Sequence, residues 1–234
     1  ASRSSEIRRQ ENILERYARE AGIWLDPKFT NRQTRVGAGG EAVVYHKDGE
    51  AFVTKVVDYR HINRGTTPLE FLDRTSLFNA LFPEAPYTLE GVTRIDGKLR
   101  FVIKQPYVNG GGVQHSVFAD AMKDRGWKPL ERESYENSLY QVFDLHEKNV
   151  MQDADGNFYV IDAVPRTKHT QDFAIVRNDR SAYNADGDID YAEVTDTAKK
   201  VISGVHSIKR LTPAGEEGRI RSGQRGVEAS IVVG

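Results

Sequence analysis

The chain contains no cysteine, which excludes disulfides, a thiol nucleophile and any thiolate metal site. No apolar run approaches the length of a membrane span, and no charged-then-apolar signal segment opens the sequence. Net charge of either sign is nearly absent too: 33 Lys and Arg stand against 34 Asp and Glu, a formal −1. There is therefore no general pull toward nucleic acid or an anionic membrane. No internal repeat is present. These absences predict a soluble, cytoplasmic protein with neither a specific nucleic-acid partner nor a membrane partner. With 38% hydrophobic residues in 234, the chain can bury a core, as one compact domain or as a domain with a tail.

What is there is organised around Gln141 to Arg166, QVFDLHEKNVMQDADGNFYVIDAVPR. Val150 to Gln152 and Phe158 to Ile161 are apolar and β-prone, and Asp155-Gly156 between them is a favoured hairpin turn. Folding back there makes Asn149, at the entry, a neighbour of Asp162, at the exit. Two oxygen-bearing side chains so placed suit a hard cation such as Mg²⁺. Asp144, five residues before Asn149, can face the same volume as a base or hydroxyl-orienting group, which phosphoryl transfer requires.

Upstream, residues 6–22 read as an amphipathic helix with Ile13, Leu14, Tyr17, Ala18 and Ala21 on one face. Trp24 and Leu25 anchor the segment that follows. From Gln33 the pattern turns to β. Gly37, Gly39 and Gly40 precede a strand containing Val43, Val44 and Tyr45. Asp48-Gly49 makes a tight turn, and Ala51 to Val57 is a third strand carrying one lysine, Lys55, in an apolar run. A buried ammonium needs an anionic partner; the alternative is an edge-strand lysine reaching water. Pro68 to Leu81 is a helix with proline in its first turn. It offers two carboxylates one turn apart as candidate partners for Lys55, Glu70 and Asp73. Thr88 to Thr93 and Lys98 to Lys104 pair around Asp96-Gly97, and Gln105-Pro106-Tyr107-Val108 leads into a linker, Gly110 to Gly112. Val117 to Met122 and Tyr135 to Tyr140 read as short helices, with Trp127 in the core between them.

In this order the motifs resemble the protein-kinase-like superfamily: D-L-H-E-K-N at 144–149, then Asp162, is similar to D-x-x-x-x-N followed by D-F-G. The D-L-H-x-x-N-V wording is also that of aminoglycoside-type small-molecule kinases. With L-E-F-L-D-R at 69–74, L-F-P-E at 81–84 and Q-P-Y-V at 105–108, residues 10–170 most resemble the serine/threonine/tyrosine kinase domain of polyvalent proteins of phages and conjugative elements. The resemblance implies an α+β fold: a minimal two-lobed kinase with an antiparallel N-lobe sheet and a small, mainly helical C-lobe. The expected divisions are a helical extension (1–32), N-lobe (33–108), C-lobe with the catalytic loop (109–175) and a C-terminal extension (176–234).

The resemblance also implies ATP and Mg²⁺ as cofactors. Gly37, Gly39, Gly40 and Val44 would cover the nucleotide, Lys55 paired with Glu70 would hold its phosphates, and Gln105 and Tyr107 would lie at the hinge that reads adenine. Asn149 and Asp162 would bind the metal, and Asp144 would serve the acceptor hydroxyl. That acceptor is a protein Ser, Thr or Tyr, or a small molecule, and the chain is expected to be part of a larger multidomain protein. Val142 and Phe143 stand where protein kinases carry His-Arg, and Ala163-Val164 replaces Phe-Gly. No A-P-E follows, so control by a phosphorylated activation loop is not expected. His146 is read as a hydrogen-bonded loop residue.

Beyond residue 170, Asn184 to Glu193 partly matches a calcium loop, but Ala182 at the first ligand position cannot coordinate. A solvated acidic turn is favoured over a calcium-responsive module. Thr195 to Ile208 reads as a helix, and Thr212 to Gly234 as a tail or the start of a neighbouring domain. A nucleotide-binding scaffold without transfer is the remaining alternative to an active kinase.

Overall fold

The computed structural model describes residues 2–61, 63–131, 133–168, 191–203, 220–221 and 228–229. The chain divides into two compact units. The first is built from the described residues of Ala1–Thr75, Tyr87–Tyr107 and Asp179–Val205, the second from those of Ser76–Pro86, Val108–Asn178 and His206–Gly234.

In the first unit, the Ser2 hydroxyl accepts from the Ser5 N–H (3.3 Å) and so starts helix α1 at Arg3–Glu20, earlier than the hydrophobic pattern alone predicts. Its buried stripe is Ile7, Gln10, Leu14 and Ala18. Ile13 and Tyr17, expected on the core face, are only half-buried. Gly22, at φ 71°, turns the chain out of the helix. Residues 23–25 then run along the sheet edge, with Leu25 N–H donating to the Val92 carbonyl (2.9 Å) and Val92 N–H to that of Ile23 (3.1 Å). This is the anchoring role expected of Trp24 and Leu25. A 3₁₀ turn, Pro27–Arg32, capped by Asp26, leads into the sheet.

The sheet comprises β1 (Thr34–Ala38), β2 (Ala42–His46), β3 (Phe52–Val57), β4 (Thr88–Ile95) and β5 (Lys98–Pro106). It is antiparallel throughout, in the order β1-β2-β3-β5-β4. The β4–β5 turn is the expected Asp96-Gly97, both residues having positive φ (51° and 74°) as a type I′ hairpin turn requires. Between β3 and β4 comes α2 (Pro68–Leu81). Phe71 of α2 stacks on Phe101 of β5 (4.4 Å between centroids), and Tyr59 meets the Phe101 ring edge-on (5.5 Å). Each such aromatic pair adds roughly 0.5–1.5 kcal/mol beyond its buried area. A helix near the C-terminal end of the described chain, α4 (Tyr191–Ser203), packs on α1 and β4. It begins before the predicted Thr195; residues 204–208 of that prediction lie outside the described residues. So do residues 182–190 of the calcium-loop candidate and, apart from two short strands at 220–221 and 228–229, the predicted tail.

The second unit departs from the expectation of a mainly helical lobe. Between residues 109 and 168 the described chain has one helix, α3 (His115–Asp124), and seven short strands. These are β6 (Gly110–Gly112), β7 (Lys128–Glu131), β8 (Ser134–Glu136), β9 (Tyr140–Phe143), β10 (Val150–Asp153), β11 (Phe158–Val160) and β12 (Val164–Thr167). They form a β11-β10-β6 sheet and a β12-β9-β8-β7 sheet.

Tyr135 to Tyr140, predicted as a helix, is a hairpin. The Asn137 side-chain carbonyl accepts from the Leu139 and Tyr140 N–H groups (2.9 and 2.8 Å), and this local turn replaces the helical hydrogen bonds. The Gly110 to Gly112 linker is a strand paired to β10. Glycine is required there, since a Cβ on Gly110 would overlap the Gln152 carbonyl and one on Gly112 would crowd that of Glu147. Trp127 is buried, as expected. Among the described residues no helix is long and apolar enough to cross a membrane.

Candidate active site

In the first unit the glycine segment is a close turn between β1 and β2. Gly37 lies opposite Val44, Gly39 N–H donates to the Ala42 carbonyl (2.9 Å), and Gly40 is packed so closely by the His61 ring that a Cβ would overlap it. Nothing lies within 4 Å of where a Cβ on Gly39 would be. Glu41 fastens the turn: its carbonyl accepts from Asp58 N–H (2.7 Å) and its carboxylate pairs with Arg74 of α2. The turn thus presents bare backbone on a fixed base, suited to close approach by an anion.

Val44 pairs across the sheet with Lys55 of β3. Lys55 is 7% exposed, so the water-reaching alternative does not apply. Its ammonium lies 5.0 Å from the centre of the Tyr87 ring and 3.4 Å from the Tyr87 hydroxyl, a cation–π arrangement. Lys55 is opposite Ile103, and Val57 is opposite Phe101. Opposed and alternate residues share a face, so Lys55 projects on the side where Phe71 of α2 stacks on Phe101.

The two acidic residues of α2 differ in their surroundings. Glu70 belongs to a capping box: its N–H donates to the Thr67 hydroxyl (3.2 Å) and its carboxylate accepts from the Thr67 N–H (2.9 Å). The same carboxylate pairs with Arg3. Asp73 stands four residues after Leu69, which is fully buried, and i, i+4 residues share one side of a helix. Asp73 is therefore on the inner side of α2, and Glu70 at its capped end. The pattern Thr67-Pro-Leu-Glu70 is itself a legible cap signal.

At the end of β5, Gln105 is buried at 1% exposure and Tyr107 is 47% exposed. Tyr107 stacks on His46 (4.2 Å, 11° between planes), and its N–H already donates to the Ala51 carbonyl (2.8 Å). It can offer a ring face and a carbonyl, but not that N–H.

In the second unit Asp144, Asn149 and Asp162 are brought together. The hairpin pairs Val150 with Val160 and Gln152 with Phe158, so Asn149 and residues 161–162 are adjacent. The Asn149 carbonyl accepts from the N–H groups of Ile161 (2.9 Å) and Asp162 (3.4 Å). Asp153 holds the turn, accepting from the Asp155 and Asn157 N–H groups (3.0 and 2.9 Å), the Asn157 amide (3.0 Å) and the Tyr159 hydroxyl (2.9 Å). These hydrogen bonds, led by the Asn157 amide, hold the Asp153 carboxyl below the usual carboxylate range.

The Asn149 amide donates to both the carbonyl (2.8 Å) and the carboxylate (3.2 Å) of Asp144. Asp144 itself sits at φ 67°, an uncommon backbone state that a surrounding structure must enforce. Here Leu145 is buried, and its N–H donates to the Glu133 carbonyl (2.9 Å). His146 accepts the Lys148 N–H at Nδ1 (3.1 Å), which leaves Nε2 to carry the proton, 3.6 Å from the Asp144 carboxylate. It is the hydrogen-bonded loop residue expected.

Could this loop hold Mg²⁺? With its amide nitrogen on Asp144, Asn149 has its amide oxygen as the remaining side-chain ligand atom, and Asp162 follows the hairpin with a carboxylate. Both are hard oxygen ligands of the kind Mg²⁺ takes in small number beside phosphate and water. The residues fit the ion. Among the described residues no group of three or more His, Cys, Asp or Glu forms a metal cluster.

Comparison with known proteins bears on the whole region. The family described as Serine/Threonine/Tyrosine Kinase found in polyvalent proteins matches residues 8–169, close to the 10–170 of the sequence resemblance. No curated protein matches the chain. The matched span includes the glycine segment, Lys55, α2, the β5 end and the Asp144 to Asp162 loop. The chain belongs to this kinase family and is a phosphotransferase enzyme.

Proposed function

We propose that the protein transfers the γ-phosphoryl group of ATP to the hydroxyl of a Ser, Thr or Tyr side chain on another protein. The observation that carries this is the loop in which Asn149 bonds the Asp144 carboxylate through its side chain and the Asp162 N–H through its carbonyl. An acceptor-orienting carboxylate and two oxygen ligands are thereby gathered on one short stretch.

Asn149 and Asp162 would hold Mg²⁺, which when bound offsets charge on the phosphate oxygens. Asp144 orients the acceptor hydroxyl. The hydroxyl oxygen bonds to the γ-phosphorus as the bond from phosphorus to the β,γ-bridging oxygen breaks. ADP leaves with that oxygen, and the hydroxyl proton passes to the Asp144 carboxylate. Gly37, Gly39, Gly40 and Val44 cover the nucleotide. Lys55 binds its α- and β-phosphates, and Gln105 and Tyr107 border the base. Because Glu70 serves the helix cap, we assign the carboxylate that orients Lys55 to Asp73. Catalysis on this reading is positioning and electrostatic stabilisation.

The D-L-H-E-K-N-V wording supports a second acceptor class, a small hydroxylated molecule. Incubation with labelled ATP and Mg²⁺, with a mixed protein substrate and separately with hydroxylated small molecules, tests both. Label on protein is the expected result. Label only on small molecules selects the second reading, and nucleotide-dependent thermal stabilisation without any transfer would leave a scaffold.

A further inference from the structure

α1 carries an anomaly on its buried stripe. Ile7, Leu14 and Ala18 are apolar, but Gln10 between them is 0% exposed, and a buried amide is costly unless it is hydrogen-bonded. Its oxygen accepts the Leu69 N–H (3.0 Å) and its nitrogen donates to Glu6 (3.2 Å).

Leu69 is the second residue of α2, so Gln10 satisfies a helix-end donor that α2 cannot satisfy itself. The remaining groups of that end are also accounted for. Pro68 has no N–H, Glu70 N–H goes to the Thr67 hydroxyl, and Phe71 N–H to the Thr67 carbonyl (3.1 Å). The next residue of α1, Glu11, accepts from the Tyr59 hydroxyl (2.6 Å). Tyr59 in turn packs at 6.3 Å from Phe71 of α2 and 5.5 Å from Phe101 of β5. Two successive residues of α1 therefore reach α2, one directly at its end and one through its aromatic contact. Sliding α2 along its axis breaks the first, and rolling it on the sheet disturbs the second. The Arg3–Glu70 pair is about half exposed and adds little to this hold.

We infer that Gln10 is a positioning residue for phosphoryl transfer: it sets the place of α2 on the sheet, and so the place of Asp73 relative to Lys55. This rests on the assignment of Asp73 as the carboxylate that orients Lys55. Small errors of placement near reacting groups cost rate steeply, whereas a purely structural residue lowers stability alone.

The test compares Gln10→Leu, the swap Glu6→Gln with Gln10→Glu, and Asp73→Asn, alone and combined with Gln10→Leu. Readouts are kcat, KM for ATP and Tm, with assays well below each Tm. The swap keeps an acceptor for Leu69 and a hydrogen bond back to position 6. Expected for Gln10→Leu is a fall in kcat of about tenfold or more with KM for ATP little changed, restored by the swap and not multiplied by Asp73→Asn. Wild-type kcat in folded Gln10→Leu overturns the assignment, as does a loss the swap fails to restore or one that multiplies fully with Asp73→Asn. An inactive wild type would overturn the proposed function and this assignment together; an active wild type with an active Gln10→Leu overturns only the latter.

Discussion

Thr67 and Glu70 cap each other at the start of α2, with the Thr67 N–H on the Glu70 carboxylate at 2.9 Å and the Glu70 N–H on the Thr67 hydroxyl at 3.2 Å. A residue so used serves stability first. Thr67→Ala should cost about 1 kcal/mol, and Glu70→Gln should lower Tm modestly while leaving most of the transfer rate. Asp73→Asn should do the reverse, holding Tm and losing rate. Paired Tm and kcat measurements on the three variants decide it; a Glu70→Gln enzyme that is stable and inactive would return the Lys55 partnership to Glu70.

Gly110 and Gly111 adjoin in β6 but face different surroundings. A Cβ on Gly110 would overlap the Gln152 carbonyl, while one on Gly111 meets nothing within 4 Å. Gly110→Ala should therefore destabilise by roughly 1–3 kcal/mol, and Gly111→Ala by no more than about 0.5 kcal/mol. Thermal unfolding of both variants checks this, and equal effects would contradict the pairing of β6 with β10.

Among the described residues, Tyr59, Tyr135 and Tyr159 should titrate late. Burial, reinforced by its hydrogen bond to Glu11, pushes the Tyr59 phenol well up. Burial alone raises Tyr135, whose hydroxyl has no hydrogen-bond partner among the described residues. Tyr159 is raised mainly by its hydrogen bond to Asp153. A raised phenol favours the protonated folded state. Its contribution to stability is thus complete below the ordinary tyrosine pKa of about 10 and is lost as the pH rises above it. Phenolate absorbance should show these groups ionising late, with alkaline unfolding, and Tyr59→Phe and Tyr135→Phe should each remove one. Ionisation of these three near pH 10 would contradict their burial and hydrogen bonding.

How far was this legible beforehand? The hairpin after Asn149 is, because apolar, β-prone runs flank Asp155-Gly156, and so is α2, because Pro68 opens an apolar-periodic run. The turn itself differs in detail: Gly156 has positive φ (83°), Asp155 does not, and the Asp153 side chain organises it. The β8–β9 hairpin was hidden because its apolar residues also fit a helical spacing, and the deciding group is the Asn137 side chain. β6 was hidden because glycines show no alternation; β10 determines that it is a strand. At the candidate site, Lys55 and the Asp144, Asn149 and Asp162 group could be read from residue type and spacing. The left-handed backbone of Asp144 and the reach of Gln10 to Leu69, 59 residues away, depend on tertiary contacts that no local pattern encodes.

The central claim is that the loop gathered by Asn149 performs phosphoryl transfer. Its most direct measurement is transfer of labelled phosphate from ATP by wild type and Asp162→Ala, at matched Mg²⁺ and below the Tm of each. Transfer by wild type and a loss of about 100-fold or more in the folded variant is the predicted result. Undiminished transfer by Asp162→Ala would contradict it.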